Sequence, residues 1–204
     1  MGHEVYAKLG GIEVKTPPRE RILTAAGELF ERYGIRGVGV EAIAEAADTN
    51  KMTLYRHFSS KDDLVAAWLN MVVKSWAAQW EALERIPDTI SAHTKIDLFL
   101  EEYGSAFEHC AVRGCPLMNS LAELPEKDHP ARRVLEEYKA EERKRMIKFF
   151  RKVGVTGPAQ AADEIQLLLD GAKAGVQDWG AARSRARFIQ MAKTLLEARL
   201  ARAH

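Results

Sequence analysis

Apolar residues recur at three- and four-residue steps along nearly the whole chain, a period that predicts helices almost everywhere. Ile22, Ala25, Ala26, Leu29, Phe30 and Tyr33 form one stripe of a first helix. Thr16 can cap that helix ahead of Pro17-Pro18, and Gly34 can end it. A short second helix carries Ile43-Ala44 and Ala46-Ala47, small and branched residues that let another helix cross closely. Asp48 falls where the chain must turn sharply, and Asp tolerates a left-handed backbone better than most residues. Asn50 can then cap a third helix in which Leu54 and Phe58 bury together. Lys51, Met52, Tyr55 and Arg56 are left on its opposite side.

Ser60, followed by Asp62 and Asp63, opens a long fourth helix with acids in its first turn. It runs to about residue 85 and carries Leu64, Trp68, Met71, Val72, Trp76 and Trp80. Further helices are predicted at about 89–109, 117–123, 130–153, 159–179 and 182–201, with prolines and glycines at their boundaries. The fold class is all-α, about nine helices, with no strand, repeat or low-complexity tract. Residues 1–16 read as a flexible arm, 17–61 as a three-helix unit and 62–204 as a second, larger helical unit. No linker separates the third helix from the fourth, so movement of one moves the other.

Composition adds little until charge placement is considered. With 204 residues, 47% hydrophobic and 29% charged, the chain is an ordinary globular protein. No apolar run approaches the roughly 20 residues that cross a bilayer. The first residues lack a signal-peptide core, so a cytoplasmic location without membrane association is expected. Net charge is only +1, yet Lys51, Arg56 and Lys61, with His57 besides, lie in a stretch free of Asp and Glu. A focused patch on a near-neutral protein favours docking on nucleic acid in one orientation.

The order Tyr33-Gly34, Ile43 to Ala47, Thr53-Leu54-Tyr55-Arg56-His57-Phe58 and Ser60-Lys61-Asp62 resembles the DNA-binding domain of TetR-family transcriptional regulators. The motif match covers roughly residues 19 to 65. Arg113 to Asn119, Ala122-Glu123-Leu124 and Ile165 to Gly171 resemble the regulatory region of one TetR branch. The resemblance implies a helix-turn-helix unit over 17–61 and a ligand-binding and dimerisation unit over 62–204. It makes the third helix the recognition helix, suited to the major groove of double-stranded DNA. Lys51, Met52 and Thr53 would then meet base edges and the nearest phosphates. Tyr55 would offer its hydroxyl to a phosphate, or else be a half-buried core tyrosine. Arg56 and His57 would flank the groove and Lys61 reach the DNA backbone. Three departures stand out: Val38-Gly39 where hydroxyl residues are common, Asp48 where glycine is common, and Met52 in place of a small residue.

Two stripes near the C-terminus, Ile165, Leu168, Leu169, Ala172 and Val176 on one helix and Ile189, Ala192 and Leu196 on the other, are candidates for a homodimer interface or for the monomer's own core. The resemblance favours a four-helix bundle about a two-fold axis, hence a near-palindromic operator. It also implies an effector cavity, and Trp68, Met71, Phe99, Tyr103, Phe107, Met118 and Leu121 are candidates for its lining, or plain core. Their chemistry suits a small hydrophobic or aromatic molecule.

Neither cofactor nor metal is expected; His57 has no second ligand at a useful spacing. Cys110 and Cys115 read as buried small hydrophobes or as a redox pair. A thiol enzyme with Cys115 as nucleophile and His109 or His129 as base lacks any motif. The reading is a ligand-responsive repressor, not an enzyme.

Overall fold

In a computed structural model, residues 6–9, 12–108, 110 and 114–201 are described. Among the described residues ten helices stand in order: α1 (Pro18–Tyr33), α2 (Val40–Ala46), α3 (Lys51–His57), α4 (Lys61–Glu84), α5 (Ala92–Ser105), α6 (Pro116–Glu123), α7 (Pro130–Val153), α8 (Pro158–Ala174), α9 (Val176–Trp179) and α10 (Ala181–Ala201). The class is all-α, with one small addition that the periodicity did not predict. Strands β1 (Tyr6–Leu9) and β2 (Ile12–Lys15) pair antiparallel ahead of α1, Leu9 opposite Ile12.

Side chains set the starts of α3, α4 and α5. Asn50 Oδ1 accepts from Thr53 N at 2.9 Å, Ser60 Oγ from Asp63 N at 3.0 Å and Ser91 Oγ from Thr94 N at 3.1 Å. The last of these starts α5 three residues later than Thr89 would have. Pro17, not Thr16, occupies the cap position of α1 and makes no side-chain bond. Asp48 takes the left-handed conformation expected of it, φ 49°. Gly175 divides the predicted helix 159–179 into α8 and α9.

Two hydrophobic clusters fill the interior. The first joins Ile22, Ala26, Phe30, Ile43, Leu54, Phe58, Leu64 and Trp68, and continues onto Leu117 and Leu135. The second gathers Phe99, Tyr103, Phe107, Met146, Phe150, Ile165, Leu169, Phe188 and Leu196. The long helix α4 belongs to both, with Trp68 in the first and Trp80 in the second. Tyr33, expected on the buried stripe of α1, is exposed, with Arg32 over its ring.

Candidate nucleic-acid interface

Helices α2 and α3 meet across a four-residue turn held by the backbone: Ala47 N donates to Ile43 O and Thr49 N to Ala44 O. Leu54 and Phe58 are buried, which fixes the rotation of α3. The other face is therefore turned to solvent. Lys51, Met52, Tyr55, Arg56 and His57 are all exposed on it, Met52 to 76%. Thr53 is half-buried beside them.

Two features of this face were not legible in the sequence. Glu41 on α2 accepts from Lys51 Nζ at 2.5 Å. That hydrogen bond holds the Glu41 carboxyl below its ordinary pKa and the Lys51 ammonium above its own. A separation of ten residues matches no helical period, so only the turn geometry brings this pair together. Arg21 similarly ties α1 to the turn through Asp48, 3.1 Å away.

Lys61 departs from its expected role. Its ammonium donates to Ile35 O at 2.6 Å, and partial burial lowers its pKa. It braces the α1–α2 loop instead of standing free beside the α3 face. Around it lies an open cleft of about 500 Å³, where that loop meets the α6–α7 connection. There Arg36 N donates to Glu123 Oε2 at 3.0 Å, Arg36 pairs with Glu126 at 3.7 Å, and His129 Nε2 lies 3.3 Å from Asp62 Oδ1. His129 Nδ1 also accepts from Ala131 N, capping α7. These bonds tie α1–α4 to the helices that follow.

The residues expected to line an effector cavity do not share one space. Trp68 packs on Phe30 at 5.3 Å between centroids and closes over Gly27, where a Cβ would lie 2.8 Å from the indole nitrogen. Met118 and Leu121 pack against that same first cluster, and Met71 is exposed. Phe99, Tyr103 and Phe107 belong to the second cluster, Phe99 and Tyr103 in a ring network with Trp80, Phe149 and Phe150, and Phe107 against Phe188.

The two C-terminal stripes face each other inside one chain. Ile165, Leu169, Val176, Ala192 and Leu196 are buried, and Leu168, Ala172 and Ile189 pack partly buried on the same cluster. The outward faces carry other residues, Leu167 at 75% and Met191 at 53% exposure. Periodicity identifies an apolar face without saying what it meets. Here the inward residues are the long stripe, and the outward ones are isolated among polar and small neighbours.

Cys110 and Cys115 are free thiols. Burial, with the neighbouring Cys115, pushes the Cys110 pKa up to about 11, which disfavours the reactive thiolate. His109 lies outside the described residues, and His129 is engaged as above. Among the described residues no helix is long and apolar enough to cross a membrane.

A short helix pair with one apolar and one cationic face, placed at the head of a long helix, defines the helix-turn-helix class of regulator. Residues 22–68 match the family described as bacterial regulatory proteins, tetR family. The HTH-type transcriptional regulator RutR of Escherichia coli is 36% identical over 64 residues, covering 31% of this chain and 30% of RutR. The chain thus aligns with under a third of that relative's length. Solved structures extend the likeness. SCO4454, a TetR-family transcriptional regulator from Streptomyces coelicolor, superposes with TM-score 0.81 at 27% identity, over 90% of this chain and 96% of that one. A tetR transcriptional regulator (sav143) from Streptomyces avermitilis gives TM-score 0.75 at 33% identity, over 90% and 98%. The chain belongs to the TetR family of transcriptional regulators.

Proposed function

We propose that the protein is a homodimeric repressor that binds a near-palindromic DNA operator and is released by a small hydrophobic or aromatic effector. One observation carries the reading: α3 buries Leu54 and Phe58 and turns Lys51, Met52, Tyr55, Arg56 and His57 outward together. Lys51, Met52 and Thr53 meet base edges and the nearest phosphates from the N-terminal end of α3, while Tyr55, Arg56 and His57 address phosphates further along. Two copies pair through the outward faces of α8 and α10, where Leu167 and Met191 lose their exposure and Gly171 leaves open room for close approach. Their α3 helices then enter successive major grooves about 34 Å apart.

Release works through α4, which begins directly after α3 and reaches both cores. An effector that favours one setting of α4 changes the spacing of the two α3 helices. Its influence is bounded by its differential affinity for the two settings, typically about 1–3 kcal/mol, or roughly 5- to 150-fold in operator affinity. Oxidation of Cys110 and Cys115 is the weaker alternative, because burial disfavours the Cys110 thiolate.

Selection of bound duplexes from random DNA, at fixed salt, tests this reading. The expected outcome is a two-fold symmetric site with half-sites about one helical turn apart. Enrichment of a single unpaired half-site, or of none, would remove the dimeric repressor from consideration.

A further inference from the structure

The two apolar clusters meet along a seam that is not apolar. Cys110 touches both clusters there, and α7 and α8 contribute charged groups. Most of these are well satisfied. Glu142, buried, accepts from Tyr138 Oη at 3.1 Å and from Gln166 Nε2 at 3.5 Å. Lys139 lies 3.8 Å from the same carboxylate and 2.5 Å from Asp170.

Two further groups belong to the seam. Lys173 is only 5% exposed, and among the described residues its ammonium meets no carboxylate; it lies 4.6 Å from the centroid of the Trp76 ring. A ring face offsets part of the cost of burying a cation, but an anionic partner offsets far more. The Tyr103 hydroxyl is buried, and burial together with the nearby Glu142 carboxylate raises its pKa.

We propose that Lys173 and Trp76 form the binding point for a small aromatic carboxylate. The inference rests on the effector-responsive reading above and names the ligand chemistry. An ammonium with an indole face but, among the described residues, no carboxylate beside it selects an anion and repels a cation. Trp76 and Tyr138, with centroids 5.9 Å apart and edge to face, provide a flat aromatic wall beside it. On binding, the ammonium leaves the indole face to pair with the carboxylate, and the ligand's ring takes its place on Trp76. Trp76, Tyr138 and Asn119 are half-buried and Gln177 is exposed, so the seam reaches solvent at this edge. The site also joins the right elements. Trp76 lies on α4, which follows the recognition helix, and Lys173 on α8, whose outer face carries Leu167.

Calorimetry on the full chain at neutral pH, with benzoate and its neutral isostere benzamide as probes, tests the site. Benzoate is expected to bind at least tenfold more tightly than benzamide. Lys173→Met should remove that preference, and Trp76→Leu should weaken both ligands. Equal affinity for acid and amide, no binding of either at millimolar concentration, or an unchanged preference in Lys173→Met would overturn the proposal. The acid-to-amide ratio in the unaltered protein decides the matter even if Lys173→Met does not fold. Operator binding measured in parallel without ligand separates the two readings. Operator binding without acid preference defeats only the carboxylate site, whereas acid preference without operator binding defeats only the repressor.

Discussion

The interior around α1–α3 and the interior beyond α4 are built differently. Among the described residues, every buried polar or charged side chain falls beyond residue 90: Lys95, Ser120, Glu142, Lys173 and Ser184. The core of the N-terminal cluster is apolar, with the partly buried Arg21 at its edge tied to Asp48, as suits a unit that must hold one helix at a fixed rotation. The C-terminal cluster combines a dense ring network with buried ions. Buried ions cost stability unless fully paired, and they make the surrounding packing responsive to whatever pairs with them.

The largest expected effect lies in the ring network. Phe99 is fully buried, its ring 4.6 Å from Tyr103 and 5.3 Å from Phe149 between centroids. Phe99→Ala should cost about 3–5 kcal/mol of unfolding free energy in urea titration. A loss below about 1 kcal/mol would mean that this core collapses around the gap, contrary to the close packing described.

Next is Asn50→Ala, which removes the cap on α3. About 1 kcal/mol of stability should go, with operator affinity falling further as the recognition helix frays. Unaltered operator affinity would show that DNA contact, not the cap, sets the helix start.

Glu41→Gln probes the outward face itself. Freed from its carboxylate partner, Lys51 becomes available to phosphate, so binding to every duplex should tighten at low salt. The slope of log affinity against log salt should steepen by about one. An unchanged slope would mean that Lys51 already leaves Glu41 when DNA arrives.

The smallest effect concerns Cys110. Its thiol ionises at about 11 in the folded chain against 9 ordinarily, so the folded state holds the proton more tightly. The associated stability is present below pH 9 and is lost as pH rises toward 11. Alkylation of Cys110 in the native protein should accordingly be slow at pH 7.5 and accelerate with pH. Rapid labelling at neutral pH would revive the redox reading.

These two regions also differ in how far the sequence disclosed them. Near the N-terminus the decisive information is local. Asn50 and Ser60 cap, Asp48 turns, and the spacing of Leu54 and Phe58 sets which side of α3 faces out. The paired stripes Ile165–Val176 and Ile189–Leu196 were equally plain as faces. That they meet each other, leaving Leu167 and Met191 outside, is a tertiary fact that periodicity does not contain. Lys61 bonding Ile35 O, and Lys173 resting on Trp76, join residues 26 and 97 positions apart. The resemblance implies one cavity lined by both Trp68 and Phe99, yet α4 carries Trp68 into the other core.

The central claim is that two copies of α3 lie in adjacent major grooves of one duplex. Hydroxyl-radical footprinting of the full chain on a selected duplex addresses it directly. The account expects two protected patches about one turn apart on the same face of the DNA, both lost in Tyr55→Ala. A single patch, or two patches indifferent to Tyr55→Ala, would contradict it.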